Sequence, residues 1–257
     1  MFSYRIEQVR MDIRQITPHL RINESRLKPL VVVALCAAIL GACTMTKAYK
    51  SAPSEKDINV SRIMLLPPDI QISELSVGGL LTPKAAWTST AEHYIDVALN
   101  QALGKQGITI VRYRPPASDD PLLQDYLQME KLHAVVGQSI VLHKYFQPLK
   151  LPTKGDNLDW TLGSNVSLLA QGSGADYALF IYLRDSFSSD GRVTAMIFAA
   201  LLGVRVQGGT QVGFASLVDL ENGEVVWFNR LLSQTGDLRE AEGAAAAIDS
   251  LLTKAPL

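Results

Sequence analysis

The chain has 257 residues, of which 47% are hydrophobic and 19% charged, and its formal net charge is −1. That balance excludes a disordered chain and supplies enough apolar side chain for a sizeable core. Residues 1–42 carry six of the 24 basic and three of the 25 acidic groups; residues 43–257 hold the other 18 and 22, net −4, which speaks against nucleic acid as a partner.

Val31–Leu40 (VVVALCAAIL) is a continuous apolar run, too short to span a bilayer as a helix. Arg26 and Lys28 precede it and small residues follow, the layout of a secretory signal. The run closes on Leu40-Gly41-Ala42-Cys43, which resembles the bacterial lipobox. By that resemblance Leu40, Gly41 and Ala42 are read by signal peptidase II, and the Cys43 thiol accepts diacylglycerol. Cys36 is the competing acceptor, but Leu35 before it is too bulky, and cleavage there would halve the apolar run. The first 25 residues are long for a signal. A start at Leu27, through an alternative initiation codon, gives a compact one. Thr44 is not aspartate, which under enterobacterial sorting rules implies the outer membrane. With Cys43 acylated no free thiol remains, so neither a disulfide nor a thiolate metal site is expected.

The expected organisation has three parts. Residues 1–42 form a signal region, in which 1–26 belong to an over-extended start. Residues 43–61 form a lipidated flexible tether, polar and without periodicity. Residues 62–257 form a single periplasmic domain.

Within that domain, Ile63–Leu66 reads as a buried strand stopped by Pro67-Pro68. Residues 69–81 read as a loop or irregular extension. Thr82-Pro83 reads as a helix start, with Trp87, Ala91, Tyr94, Ile95, Ala98, Leu99 and Ala102 on one stripe and Gly107 past the end. Ile108–Tyr113 is the next strand, parallel to the first through a right-handed crossover. Residues 121–146 read as helical with a break near Gly137, and 158–171 as another helix. Residues 175–187 form a long strand. Gln211–Leu220 and Glu224–Leu232 form a hairpin across Asn222-Gly223, where positive φ is tolerated. Asp237-Leu238-Arg239-Glu240 resembles a capping box before a last helix carrying Leu238, Ala241, Ala245, Ile248 and Leu252. The order predicts an α/β (α+β) fold: a mixed sheet with a parallel strand–helix–strand unit and a C-terminal antiparallel hairpin, covered by helices.

Val193–Val204 (VTAMIFAALLGV) is the most apolar stretch after Cys43. It reads first as a buried connection within the fold. Its second reading is a surface through which Val193, Met196, Ile197, Phe198, Leu201 and Leu202 meet a membrane or another subunit.

Catalytic signatures do not rise above background. Gly172-Ser173-Gly174 lacks the third glycine of a dinucleotide loop, and Gly137-Gln138-Ser139-Ile140-Val141 lacks the second glycine of a nucleophile elbow. His93, His133 and His143 have no carboxylate or histidine at one-turn spacing and read as surface or satisfied histidines. Asp176 and Asp185 lie nine apart on one strand and read as edge or turn groups. No catalytic residue, cofactor or metal is expected.

Gly174-Ala175-Asp176-Tyr177 opening a strand, followed by Val218-Asp219-Leu220-Glu221-Asn222-Gly223-Glu224-Val225-Val226-Trp227, is similar to a group of envelope lipoprotein domains. These are related to the N-terminal domain of TolB and to the curli-secretion lipoprotein, and include small outer-membrane lipoproteins of proteobacteria. The resemblance spans roughly 62–252, and its specific part is 174–187 and 212–230. Nothing in the motif is catalytic, so it implies fold and compartment only. Curli-secretion channels carry two membrane hairpins, whereas one candidate insertion is visible here, 188–210, and it does not alternate. The leading expectation is a non-enzymatic, outer-membrane-anchored periplasmic lipoprotein. It would hold membrane lipid through Cys43 and bind an envelope protein partner in envelope biogenesis, secretion or surface-polymer export. The alternatives are an oligomeric export-channel component and, less favoured, an unrecognised hydrolase. The oligomeric state is not set by the sequence.

Overall fold

The computed structural model describes residues 45–50 (backbone only), 60, 62–105, 107–170 and 173–257. Leu40, Gly41, Ala42, Cys43 and Thr44 lie outside the described residues.

The elements in chain order are β1 (Met45–Lys50), β2 (Arg62–Leu65), β3 (Asp69–Leu75), β4 (Leu81–Pro83), α1 (Ala85–Gly104), β5 (Thr109–Arg112), α2 (Leu122–Ile140), α3 (Ser167–Ala170), β6 (Tyr177–Ser188), α4 (Asp190–Leu201), β7 (Gln211–Asp219), β8 (Val225–Ser233) and α5 (Ala241–Leu251). The strands form one mixed sheet in the order β1-β8-β7-β6-β2-β5. β2 and β5 are parallel, as the strand–helix–strand reading required, while β6, β7, β8 and β1 run antiparallel in succession.

β6 is the axis of this sheet. Its first half pairs with β2 (Ile63 opposite Tyr177) and its second half with β3 (Asp69 opposite Tyr182 to Leu75 opposite Ser188). β2 and β3 are thus two lengths of one line, interrupted at Pro67-Pro68, which offer no N–H to a ladder. The segment 69–81 is therefore not an irregular loop. Most of it is strand, because Ile70 and Ile72 alternate into the core while Gln71 and Ser73 face the other way. Thr82-Pro83 belong to β4, which pairs with β3, and α1 begins only at Ala85.

Strand alternation sends two apolar sets to opposite faces. Ile63, Leu65, Leu179, Ile181, Leu183, Ala215, Leu217, Trp227 and Leu231 meet α1 (Ala91, Ile95, Ala98, Leu99, Leu103) and α5 (Ala244, Ala247, Ile248, Leu251). Met64, Ala178, Phe180, Phe214, Val218 and Phe228 meet α2 (Tyr126, Met129, Ile140) and the 158–169 segment (Leu158, Leu162, Val166, Leu169). The result is a sheet covered by helices on both faces.

Four further expectations change. The helix over 121–146 does not break at Gly137; α2 passes through it to Ile140, and a π-helical turn follows over Val141–Tyr145. Gly137 permits close approach: a Cβ there would sit 2.0 Å from the Phe214 ring. Residues 158–171 are not one helix. Trp160–Leu162 run extended along the β7–β8 turn, where Leu162 N–H donates to Gly223 O (2.8 Å) and Val225 N–H to Trp160 O (2.8 Å), and only short helical turns follow. Asp237 does not cap the last helix. Its carboxylate takes Arg239 N–H (2.8 Å) and pairs with the Arg239 guanidinium, so α5 starts at Ala241. Finally, Met45–Lys50, expected within the tether, form a strand beside β8.

Gly137→Ala should cost about 1–3 kcal/mol, because Phe214 is itself held between Tyr182 and Phe228 and has nowhere to move. Thermal unfolding should show a loss of several degrees; an unchanged midpoint would mean that α2 does not pack this closely.

Candidate functional site

Val193–Val204 resolves into a helix whose apolar side faces outward. The buried reading fails: no residue of α4 is buried. Val193, Ile197 and Leu201 recur at four-residue spacing with Phe198 and Leu202 beside them, and Phe198, Leu201 and Leu202 are 64%, 77% and 82% exposed. Met196 differs. It turns inward, with Sδ 3.9 Å from Ser188 Oγ, and its end lies beside Gly208. The structure thus brings five of the six expected contact residues onto one outward surface.

This helix is firmly built. Ser189 Oγ accepts from Arg192 N–H (3.3 Å) at its start. At its end Gly203 takes φ +75°, Val204 N–H donates to Ala199 O (2.8 Å) and Gly203 N–H to Ala200 O (3.0 Å), which is the Schellman arrangement. Arg192 joins three pieces of chain: its guanidinium donates to Ser76 O (3.1 Å) and Val77 O (3.3 Å) in the β3–β4 loop and to Gln207 O (2.6 Å) in the return from α4. Val77, Leu80 and Leu81 in and beside that loop are also exposed. Two exposed apolar segments, α4 and the β3–β4 tip, are therefore clipped together at one end of the sheet. Arg192 was missed in the sequence, although it is the one basic residue of the helix.

Strand register says which end this is. β6 ends at Ser188, directly before α4, and Leu75 at the tip of β3 is its partner. Going across, Arg184 of β6 pairs with Val212, Val212 with Leu232, and Leu232 with Met45. The first residue of β1 thus lies at the α4 end of the sheet. Cys43 is two residues earlier in the chain. Two residues span about 7 Å at most.

Elsewhere, side chains that could be mistaken for chemistry are structural. His133 Nε2 lies 2.7 Å from Ser216 Oγ, the separation of a nucleophile and its base. Both are buried, His133 at 4% exposure, and the ring stacks on Phe180 with Phe214 beside it. Burial lowers the imidazole pKa to about 3, so it is neutral and a poor base. The pair satisfies two polar groups inside the core. Asp185 is also buried, rather than an edge group. Burial raises its carboxyl to about 6, opposed by hydrogen bonds from Gln211 Nε2 (3.2 Å), Leu238 N–H (3.3 Å) and Ser186 N–H (2.8 Å). It ties the loop before α5 to the sheet. His143 lies 2.7 Å from Leu149 O and stacks on Trp160. Among the described residues no group of three or more His, Cys, Asp or Glu could hold a metal ion.

No protein-family model and no curated protein matches the chain. Among solved structures it is similar to the PelC dodecamer from Paraburkholderia phytofirmans, at 15% identity and a TM-score of 0.36, over 83% of this chain and 97% of that one. A point variant of the same dodecamer gives 17% identity and a TM-score of 0.34, over 84% and 97%. A likeness of this size leaves the functional reading to the chain's own residues.

Two outcomes follow. Leu201→Glu should change the urea-unfolding free energy by no more than about 0.5 kcal/mol; a loss of 2 kcal/mol or more would mean that α4 packs inward. His133 has a folded pKa below its ordinary 6.5, so the unfolded chain takes up the proton first and stability falls as pH drops from about 6.5 towards 3. Asp185, with its folded pKa above 3.8, acts in the opposite sense: its contribution is lost as pH rises from about 4 through 6. The double variant His133→Leu/Ser216→Ala should therefore lose less stability between pH 6.5 and 4.5 than the parent, by up to about 1.4 kcal/mol per pH unit. Parallel stability–pH curves would refute this assignment.

Proposed function

We propose that the protein is an outer-membrane lipoprotein, acylated at Cys43 and facing the periplasm. It acts without catalysis as a membrane-seated binding or assembly factor in the cell envelope. The observation that carries this reading is the coincidence at one end of the sheet. The lipobox cysteine is two residues from the start of β1, and that start shares its end of the sheet with the outward apolar surface of α4 and the β3–β4 tip. Two features unrelated in sequence thus suit the same apolar phase.

The physics favours a helix lying on the bilayer over one crossing it. Twelve residues make a helix of about 18 Å, against about 30 Å of hydrocarbon. No helix among the described residues is long and apolar enough to cross a membrane. The 188–210 insertion is a helix with a return, not a pair of alternating strands, so it does not supply a barrel hairpin of the curli-secretion kind. An interfacial helix with Val193, Ile197, Phe198, Leu201 and Leu202 turned to the acyl chains gains from every apolar side chain removed from water. The opposite end of the sheet and the α2 side then face the periplasm, where an envelope protein can be bound.

The test uses the mature lipoprotein, whose Cys43 is blocked by lipid and which has no other cysteine. A nitroxide at Phe198→Cys or Leu201→Cys in vesicles should be relaxed more by oxygen than by an aqueous nickel chelate, and one at exposed Lys131→Cys the reverse. Equal aqueous access at all three positions would reject the seating. Failure of Cys43→Ala to abolish acylation and outer-membrane fractionation would reject the anchor.

A further inference from the structure

A groove on the α2 side of the sheet has no role in the reading above. It encloses about 480 Å³ between the end of α2 and the β6–β7–β8 strands. Val141, Leu142, Val212, Phe214 and Leu232 give it apolar walls. Its floor is fixed, because Tyr182 stacks on Phe214 (4.7 Å) and Gln138 Nε2 donates to the Tyr182 hydroxyl (3.2 Å). Val212 and Leu142 remain exposed in it.

We infer that this groove is a seat for one acyl chain of the lipid on Cys43, occupied when that chain is not in a bilayer. The inference rests on the acylation proposed above. Three observations lead to it. The groove wall at Leu232 is the register partner of Met45, so the acylated residue enters within a two-residue reach of it. The walls are hydrocarbon, the chemistry of the chain itself. And Arg230, which lines the same groove with its guanidinium over the Tyr145 ring (4.3 Å), has a buried Nε–H without a hydrogen-bond partner among the described residues. An ester carbonyl at the head of a diacylglyceryl group is an acceptor of the kind that donor lacks.

A methylene in the groove gains by the same effect as one in a bilayer, in proportion to the area the groove covers. The open groove therefore holds the chain less strongly than a bilayer and yields it on contact with one. Attachment to the same chain makes the groove the nearer site in dilute solution, since an intramolecular ligand is present at high effective concentration. The groove would shelter part of the lipid while the protein crosses an aqueous space and give it up on arrival.

The experiment uses cells expressing the full-length chain and fed a diazirine-bearing palmitate. The mature lipoprotein is purified in mild detergent, irradiated and mapped by peptide mass spectrometry. Adducts within one chain are expected on peptides holding Val141–Leu142, Val212 and Leu232. They should fall at least fivefold in Leu142→Glu/Val212→Glu, and equally in Val212→Trp, which fills the groove without adding charge, with circular dichroism unchanged in both. Adducts confined to detergent, to α4 peptides or to a second copy would overturn the inference while leaving acylation intact. If no label enters the protein, the acylation reading itself fails and the inference with it.

Discussion

Everything else in this molecule is placed by the pairing of β6. Tyr177–Arg184 pair with β7 on one side, while on the other Tyr177–Leu179 pair with β2 and Tyr182–Ser188 with β3. A strand paired on both sides cannot slip, and with both faces covered a one-residue shift would exchange the two apolar sets. That register decides which side chains reach α1 and α5 and which reach α2. It also carries the antiparallel succession through β7 and β8 to β1. The location of the first strand's start is thus set by hydrogen bonds four strands deep.

Much of this architecture was legible in the chain. The stripe of α1 and the strands β2, β5, β6, β7 and β8 all appear where period and turn chemistry put them, and Gly223 takes the positive φ (+79°) that its turn needs. What was not legible depends on partners distant in sequence. β3 looks irregular alone because only Ile70 and Ile72 point to a core that α1 completes. Trp160–Leu162 extend because the β7–β8 turn, some sixty residues on, offers N–H and C=O groups. Gly137 reads as a helix break until Phe214 shows why a side chain is missing there. The last helix was legible in kind but rotated by about one residue: Ala244, Ala247 and Leu251 are buried with Ile248, rather than Ala241 and Leu252.

The site divided in the same way. The apolar run at 193–204 is visible from composition, but its direction is not, since a helix buried on all sides and one turned outward can share a sequence. Arg192 decides between them. Its three carbonyl partners lie on loops 15 and more residues away, and only folding makes them neighbours. The His133–Ser216 contact shows the converse. Two residues 83 apart form a pair that looks reactive on a distance list, and the surrounding rings make it inert.

On the proposed acylation, the short step between Cys43 and β1 also sets a leash. A flexible run of 19 residues, as the composition of 43–61 suggests, would let a domain wander about 25 Å from its lipid. With strand geometry beginning at Met45, the leash shrinks to about 7 Å. A domain acylated at Cys43, as proposed, would be held against the membrane plane, and whatever it bound would have to come to that surface to meet it.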